Sequence, residues 1–468
     1  MSTRTEKDSL GTKEVPVDAY YGIQTQRAVE NFPITGMKPF PQLVDATVLV
    51  KKAAAEANRD LGRLPKEKAD LIVKVADEIL GGALRDQFVV DPIQAGAGTS
   101  HNMNSNEVIA NRCAEIVGEA RGVYKTVNPN DHVNMAQSTN DVFPTAMRVA
   151  SLLALKDLYP VLDGVAAALQ AKAEEFDGIV KSGRTHLQDA APVRLGQEFG
   201  AYAQAIRRAK RGIEEAAQRV KVLGIGGTAV GTGLNAGPDY PKKVVDYLNK
   251  YTSLGFSNNS NLFEGMQNQT PILDLSAAIR TLAVTCIRIA NDFRLLSSGP
   301  VTGLDEIRMP PVQPGSSIMP GKVNPVMAEM LDMACFQVVG NDTAVMMAAQ
   351  AGQMELNVMM PGMAFAILFS IRTMTNALDV FTKFCIVGVT ANPEKCLAYA
   401  QKNPIVATAL NPIIGYAKAA ELVKASLKTD RPVIDIAVEQ GVASREELEK
   451  ILDPKALTEP SGKGPAGG

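Results

Sequence analysis

The tightest constraint on the fold is an apolar run between positions 272 and 296. Ile272, Leu275, Ile279, Leu282, Cys286, Ile289, Phe293 and Leu296 recur at alternating spacings of three and four. Such a seam lays one face of a helix against neighbours nearly parallel to it. Leu155, Leu158, Leu162, Val165 and Leu169 repeat the pattern. A helix of roughly 28 residues is about 40 Å long, more than one subunit covers easily. Part of this apolar surface, with Met327, Met330, Met333, Met346 and Met347, is therefore expected to pack against other subunits as well as within its own chain. Strand-like alternation is scarce, so the fold class predicted is mainly α around a central bundle of long helices.

The 468 residues suffice for several domains. The sequence changes character twice. Residues 1–137 read as a mixed, mostly helical region with helical stretches near 41–60 and 65–80. Residues 138–391 carry the long periodic segments. Residues 392–468 read as a small helical domain punctuated by Asn392-Pro393, Asn403-Pro404, Asn411-Pro412 and Arg431-Pro432, with a disordered tail from Ser461 to Gly468. Lys and Arg number 48 against 50 Asp and Glu, a net charge of −2, which argues against nucleic acid or an anionic membrane as partner. The five cysteines are scattered with no C-x-x-C pair, which argues against a disulfide framework or zinc site and for a reducing cytoplasm. Met1 to Asp8 is polar, so no secretion signal is expected. The uncharged stretch between Glu355 and Arg372 contains Asn357, Pro361 and Gly362; it reads as a core helix rather than a membrane span.

Chemistry concentrates in Gly315-Ser316-Ser317-Ile318-Met319-Pro320-Gly321-Lys322-Val323-Asn324-Pro325. Gly and Pro make this an irregular loop, yet it carries two hydroxyls, an ammonium and a carboxamide, the mark of a functional loop on a rigid scaffold. It is no phosphate loop: five residues separate Gly315 from Gly321-Lys322, and Val323 stands where Ser or Thr is required. Gly96-Ala97-Gly98-Thr99-Ser100 precedes a polar helical run and suits a carboxylate site or a plain helix entry. Gln137-Ser138-Thr139-Asn140-Asp141 precedes a helix expected to start near Phe143-Pro144; cap and anion site are compatible readings there. His186 lies in the polar cluster Ser182 to Asp189 between two helices, where a lone histidine is more often structural than catalytic. Gly224-Ile225-Gly226-Gly227-Thr228-Ala229 follows an amphipathic helix rather than a strand, which defeats a dinucleotide-binding reading. No His, Cys and carboxylate cluster suggests a catalytic metal.

Taken together and in order, these segments resemble the aspartase/fumarase superfamily across nearly the whole chain. The resemblance implies a three-domain fold whose helical core is shared among subunits. Tyr20-Tyr21-Gly22, Arg27 to Phe32, Asn134-Met135, Gln353 to Met359 and Gly388 to Asn392 favour its aspartase branch. That branch would deaminate L-aspartate reversibly to fumarate and ammonium, with no organic cofactor or metal, in a homotetramer with shared active sites. By the same resemblance Ser316 is the base. Ser138, Thr139, Thr99 and Ser317 would hold the β-carboxylate, and Thr185, Lys322 and Asn324 the α-carboxylate. Asn140, His186 and Thr99 would surround the amino group. The alternatives are a class II fumarate hydratase and a catalytically silent helical scaffold. Three departures from the pattern, Ala136, Val301 and Met360, bear on local packing and subunit contacts rather than on catalytic side chains.

Overall fold

The computed structural model describes residues 2–460, and the tail expected from Ser461 onward lies outside them. The chain opens with an antiparallel hairpin, β1 (Thr3–Asp8) and β2 (Gly11–Pro16), followed by α1 (Ile23–Asn31), α2 (Pro41–Asp60), α3 (Lys66–Leu80) and α4 (Thr99–Ile116). The stretches expected near 41–60 and 65–80 are thus helices. The long elements are α5 (Thr139–Glu175), α6 (Leu195–Val220), α9 (Thr270–Leu296), α10 (Val326–Gln350) and α11 (Met360–Phe384). Between them lie a second hairpin, β3 (Val180–Thr185) and β4 (Gln188–Arg194), and the shorter helices α7 (Tyr240–Thr252) and α8 (Leu262–Gln267). Helices α12 (Pro393–Lys402) to α16 (Arg445–Ile451) complete the chain, with Asn392 capping α12 through Lys395 N.

Two compact units form. One comprises the chain through Pro160 with Ala209–Val284 and Ala334–Thr375; the other comprises Val161–Arg208, Thr285–Met333 and the chain from Asn376. The boundary falls inside all five long helices.

The apolar periodicity is realised as burial. Every seam residue of α9 from Ile272 to Leu296 is at most 6% exposed, and Leu155 to Leu169 of α5 at most 2%. Polar ties link α9 to α10 in each unit: Ser276 donates to Asp342 (2.7 Å) and Arg280 pairs with it (2.8 Å), while Arg294 pairs with Asp332 (3.1 Å). In the second unit Phe176, Phe199, Tyr202, Phe293 and Phe381 form a contiguous aromatic cluster. Helix α11 and its extension to Gly388 are long and apolar enough to cross a membrane by composition, yet 56% of the apolar window is buried inside the protein, as a core helix requires. The methionines tell the opposite story. Met333, Met346 and Met347 of α10 are 64%, 46% and 55% exposed, and Phe336 is 57% exposed.

Two local readings differ from expectation. Helix α5 begins at Thr139, so Pro144 lies in its second turn. Proline there supplies no N–H and leaves the carbonyl of Asn140 without its helical partner. The segment around His186 is a β-hairpin rather than a simple interhelix cluster.

Candidate active site

In the first unit the site is built on two helix starts that meet. Gly98 (φ +85°) turns the chain into α4, and Thr99 is the first helical residue. A Cβ on Gly98 would lie 2.1 Å from the Phe143 ring, so only glycine lets the entry of α4 approach α5 this closely. Ser138 caps α5: its Oγ accepts from Asn140 N (3.2 Å), and its own N–H donates to Asp141 Oδ1 (2.9 Å). Asn102, one turn into α4, donates to the hydroxyl of Thr139 (3.1 Å) and ties the two starts together. Each start carries the positive end of its helix dipole, so their convergence favours a carboxylate. Thr139 is buried; Thr99 is exposed, and Asn140 donates to Ala229 O (2.7 Å).

Beneath this surface lies a buried polar layer. Lys51 of α2, fully buried, donates to Asn134 Oδ1 and Gln137 Oε1, both at 2.9 Å. Burial drives its ammonium down to about 7, against the opposing pull of Asp141. Asp141, also fully buried, accepts from Ser138 N, Gly226 N and Thr228 N (2.9–3.0 Å). Burial pushes its carboxyl up to about 6, against those three bonds and Lys51. The glycine-rich turn after α6 thus anchors the start of α5 rather than cradling a nucleotide. Only two strand residues, Val222–Leu223, precede it.

In the second unit, β3 and β4 carry Thr185 and His186 at an exposed tip. The two turn residues, His186 and Leu187, both have positive φ (54° and 60°), the geometry that tight hairpins normally assign to Asn-Gly. The base of the hairpin is pinned by a buried ion cluster. Lys181 pairs with Glu198 (2.9 Å) and Glu306 (2.8 Å), and Arg184 pairs with Glu306 (2.9 Å). Asn403 donates to Ser182 Oγ and Ala190 O, both at 2.7 Å.

The serine loop closes on itself. Ser316 Oγ accepts from Ile318 N (3.3 Å) and Met319 N (3.0 Å), so two backbone donors aim at the oxygen that would carry charge as a base. The Asn324 amide donates to Gly315 O, and a Cβ on Gly315 would strike the carbonyl of Lys322. Ser316 and Lys322 border an open groove of about 510 Å³ whose lining runs from Pro311 to Val323. Thr185 and His186 do not line it, nor do Ser317 and Asn324 of the loop itself.

Residues 11–340 match the family described as Lyase, and residues 406–459 match Fumarase C C-terminus. An aspartate ammonia-lyase from Bacillus subtilis (strain 168) is 48% identical over 457 residues, 98% of this chain and 96% of that protein. The chain belongs to the lyase family. A class II fumarate hydratase from Halobacterium salinarum is 51% identical to this lyase over 456 residues, 97% of each chain. The crystal structure of a fumarate lyase:delta crystallin from Brucella melitensis has a TM-score of 0.95 at 47% identity, covering 98% of this chain and 100% of that one. The mainly helical architecture is therefore that of fumarate lyases, and this lyase is an enzyme.

Of the predicted site residues, the fold of this lyase gathers Thr99, Ser138, Thr139 and Asn140 in one unit. In the other it places Thr185 and His186 on a hairpin tip, and Ser316, Ser317, Lys322 and Asn324 on the loop. The sequence reading missed Lys51, Asn102, Asn134 and Asp141 as supports of the site. One signal was available: α4 carries Asn102, Asn104, Ser105, Asn106, Glu107 and Asn111, and all of them are buried. A helix polar on every side needs fixed partners if it is to be buried. Among the departures, Ala136 holds a positive φ of 59°, Val301 is exposed and Met360 is buried.

Proposed function

We propose that this lyase is an aspartate ammonia-lyase, a carbon–nitrogen lyase that converts L-aspartate reversibly to fumarate and ammonium. Ser316 takes the proton from the carbon beside the side-chain carboxylate. That carboxylate then carries the second charge of an enediolate, held by Thr99, Ser138 and Thr139 at the paired helix starts together with Ser317 of the serine loop. A single fixed donor at such a charge is worth ~3 kcal/mol. Collapse of the enediolate breaks the carbon–nitrogen bond. The ammonium group leaves as ammonia past Asn140 and His186, and the proton on Ser316 returns to solvent. Thr185, Lys322 and Asn324 hold the other carboxylate.

The observation that carries the elimination chemistry is the pair of backbone N–H groups on Ser316 Oγ. An alcohol is scarcely ionised at neutral pH, and hydrogen bonds to the charged form favour it. The choice of amine over hydroxyl as leaving group rests on Asn134-Met135 and the other aspartase-like segments. Class II fumarate hydratase is the second reading, supported by the similar identity of the Halobacterium relative. The reading further comprises a cytoplasmic homotetramer needing no organic cofactor. Its assembly from several copies is supported by the exposed Met333, Phe336, Met346 and Met347 of α10 and by a serine groove that none of the hairpin residues lines. The test follows fumarate formation spectroscopically, with ammonia measured in parallel, from L-aspartate and from L-malate. Aspartate is expected to be the substrate; faster fumarate production from malate would transfer the assignment to the hydratase.

A further inference from the structure

The buried layer below Thr139 has a direction. Lys51 Nζ lies 2.9 Å from both Asn134 Oδ1 and Gln137 Oε1. As ammonium or as amine, Lys51 has enough hydrogens to donate to both oxygens. This orients Asn134, whose NH₂ turns to Gln137 O (3.3 Å), while the NH₂ of Gln137 turns to Val133 O (3.0 Å) and Met135 O (3.1 Å). Asn134 Oδ1 must then receive donors from its other side, and Asn102 presents its NH₂ there at 3.3 Å. The same NH₂ donates to Thr139 Oγ1 at 3.1 Å. A hydroxyl has one proton to give. With its oxygen occupied by Asn102, and no acceptor among the described residues receiving its proton, that proton is free to point to the paired helix starts.

We infer that Asn102 is a positioning residue that fixes Thr139 as a hydrogen-bond donor toward the bound carboxylate, with its own orientation set through Asn134 by Lys51. The inference rests on the proposed role of Thr139 in holding a dicarboxylate. It adds that this role is imposed by the layer beneath rather than by the substrate. Without Asn102, the Thr139 hydroxyl can rotate and must be ordered by each incoming carboxylate.

Succinate is the probe, because it carries both carboxylates and has no leaving group. Its inhibition constant is therefore independent of whether the enzyme releases ammonia or water. The experiment is a double-mutant cycle of Asn102→Ala and Thr139→Val on the full-length enzyme, with the thermal midpoint recorded for each variant. Loss of one charge-assisted bond is expected to weaken succinate binding about tenfold in Thr139→Val. Asn102→Ala should weaken it comparably in the wild-type background and by less than about twofold once Thr139 is already Val. Equal weakening by Asn102→Ala in both backgrounds would overturn the inference while leaving the carboxylate role of Thr139 intact. Unchanged binding in Thr139→Val would overturn that role itself. If Asn102→Ala does not fold, Asn102→Leu fills the same space without the amide and carries the same cycle.

Discussion

Ser316 and Lys51 mark the two extremes of what single residues disclose. Ser316 stands in a loop rich in Gly, Pro and polar groups, so its candidacy was legible before any fold was known. Replacing it with Ala removes the proposed base without touching the core, since the residue is part-exposed on its loop. Ser316→Ala is expected to lose at least about 1000-fold in kcat with an unchanged unfolding midpoint, the size of loss that removal of a positioned base brings. Turnover within tenfold of wild type would remove Ser316 from the mechanism. Lys51 was illegible, because a lysine in the amphipathic helix α2 reads as solvent-facing until the fold buries it. Its ammonium is lowered from 10.5 to about 7 by burial. Between those values the unfolded chain holds a proton that the folded protein has released, so stability rises with pH across that window. Asp141, raised to about 6, acts with the opposite sign and lower down: the stability of its protonated form is lost as pH rises through that value. In urea unfolding at about pH 7 and about pH 9.5, wild type should therefore gain stability relative to Lys51→Met at the higher pH. A difference independent of pH would show that Lys51 does not titrate in this window.

Elements were legible where their periodicity is apolar and obscure where their stability comes from polar pairing. Helix α9 announces itself through eight seam residues, all of which are buried. The β3–β4 hairpin does not, because His186-Leu187 replaces the Asn-Gly that positive φ at two successive turn residues favours. Pro144 suggests a first turn and so a start near Phe143-Pro144, whereas Ser138, whose Oγ accepts from Asn140 N and whose N–H donates to Asp141 Oδ1, fixes the start at Thr139. The entry to α4 depends on Gly98. Gly98→Ala would put a Cβ into the Phe143 ring and force an L-residue to φ +85°. The left-handed conformation alone costs ~1–2 kcal/mol, and the clash adds to it. We expect at least about 3 kcal/mol of destabilisation in urea unfolding, with weakened dicarboxylate binding in whatever fraction folds. A loss under 1 kcal/mol, by the same scale, would mean that the two helix starts are not held in contact.

For the whole molecule, the five long helices expose an apolar and methionine-rich surface on α10 that the described residues leave uncovered. Exposed apolar area of that kind marks an interaction surface, and the heptad spacing of α9 anticipated parallel neighbours. The helix starts proposed to bind carboxylate belong to one unit, while the serine loop and the His186 hairpin belong to the other. The groove at Ser316 has neither Thr185 nor His186 in its lining. On the proposed function, Ser316 performs the elimination in a site completed by other copies of the chain. Complementation tests it directly: inactive Ser316→Ala and inactive His186→Ala enzymes are mixed in equal amounts, dissociated and reassociated, and fumarate formation from L-aspartate is measured. If Ser316 and His186 of one site come from different chains, random assembly leaves about a quarter of the sites free of both substitutions. Activity should then return to about a quarter of wild type by the same arithmetic. No recovery in verified mixed assemblies would contradict the shared site.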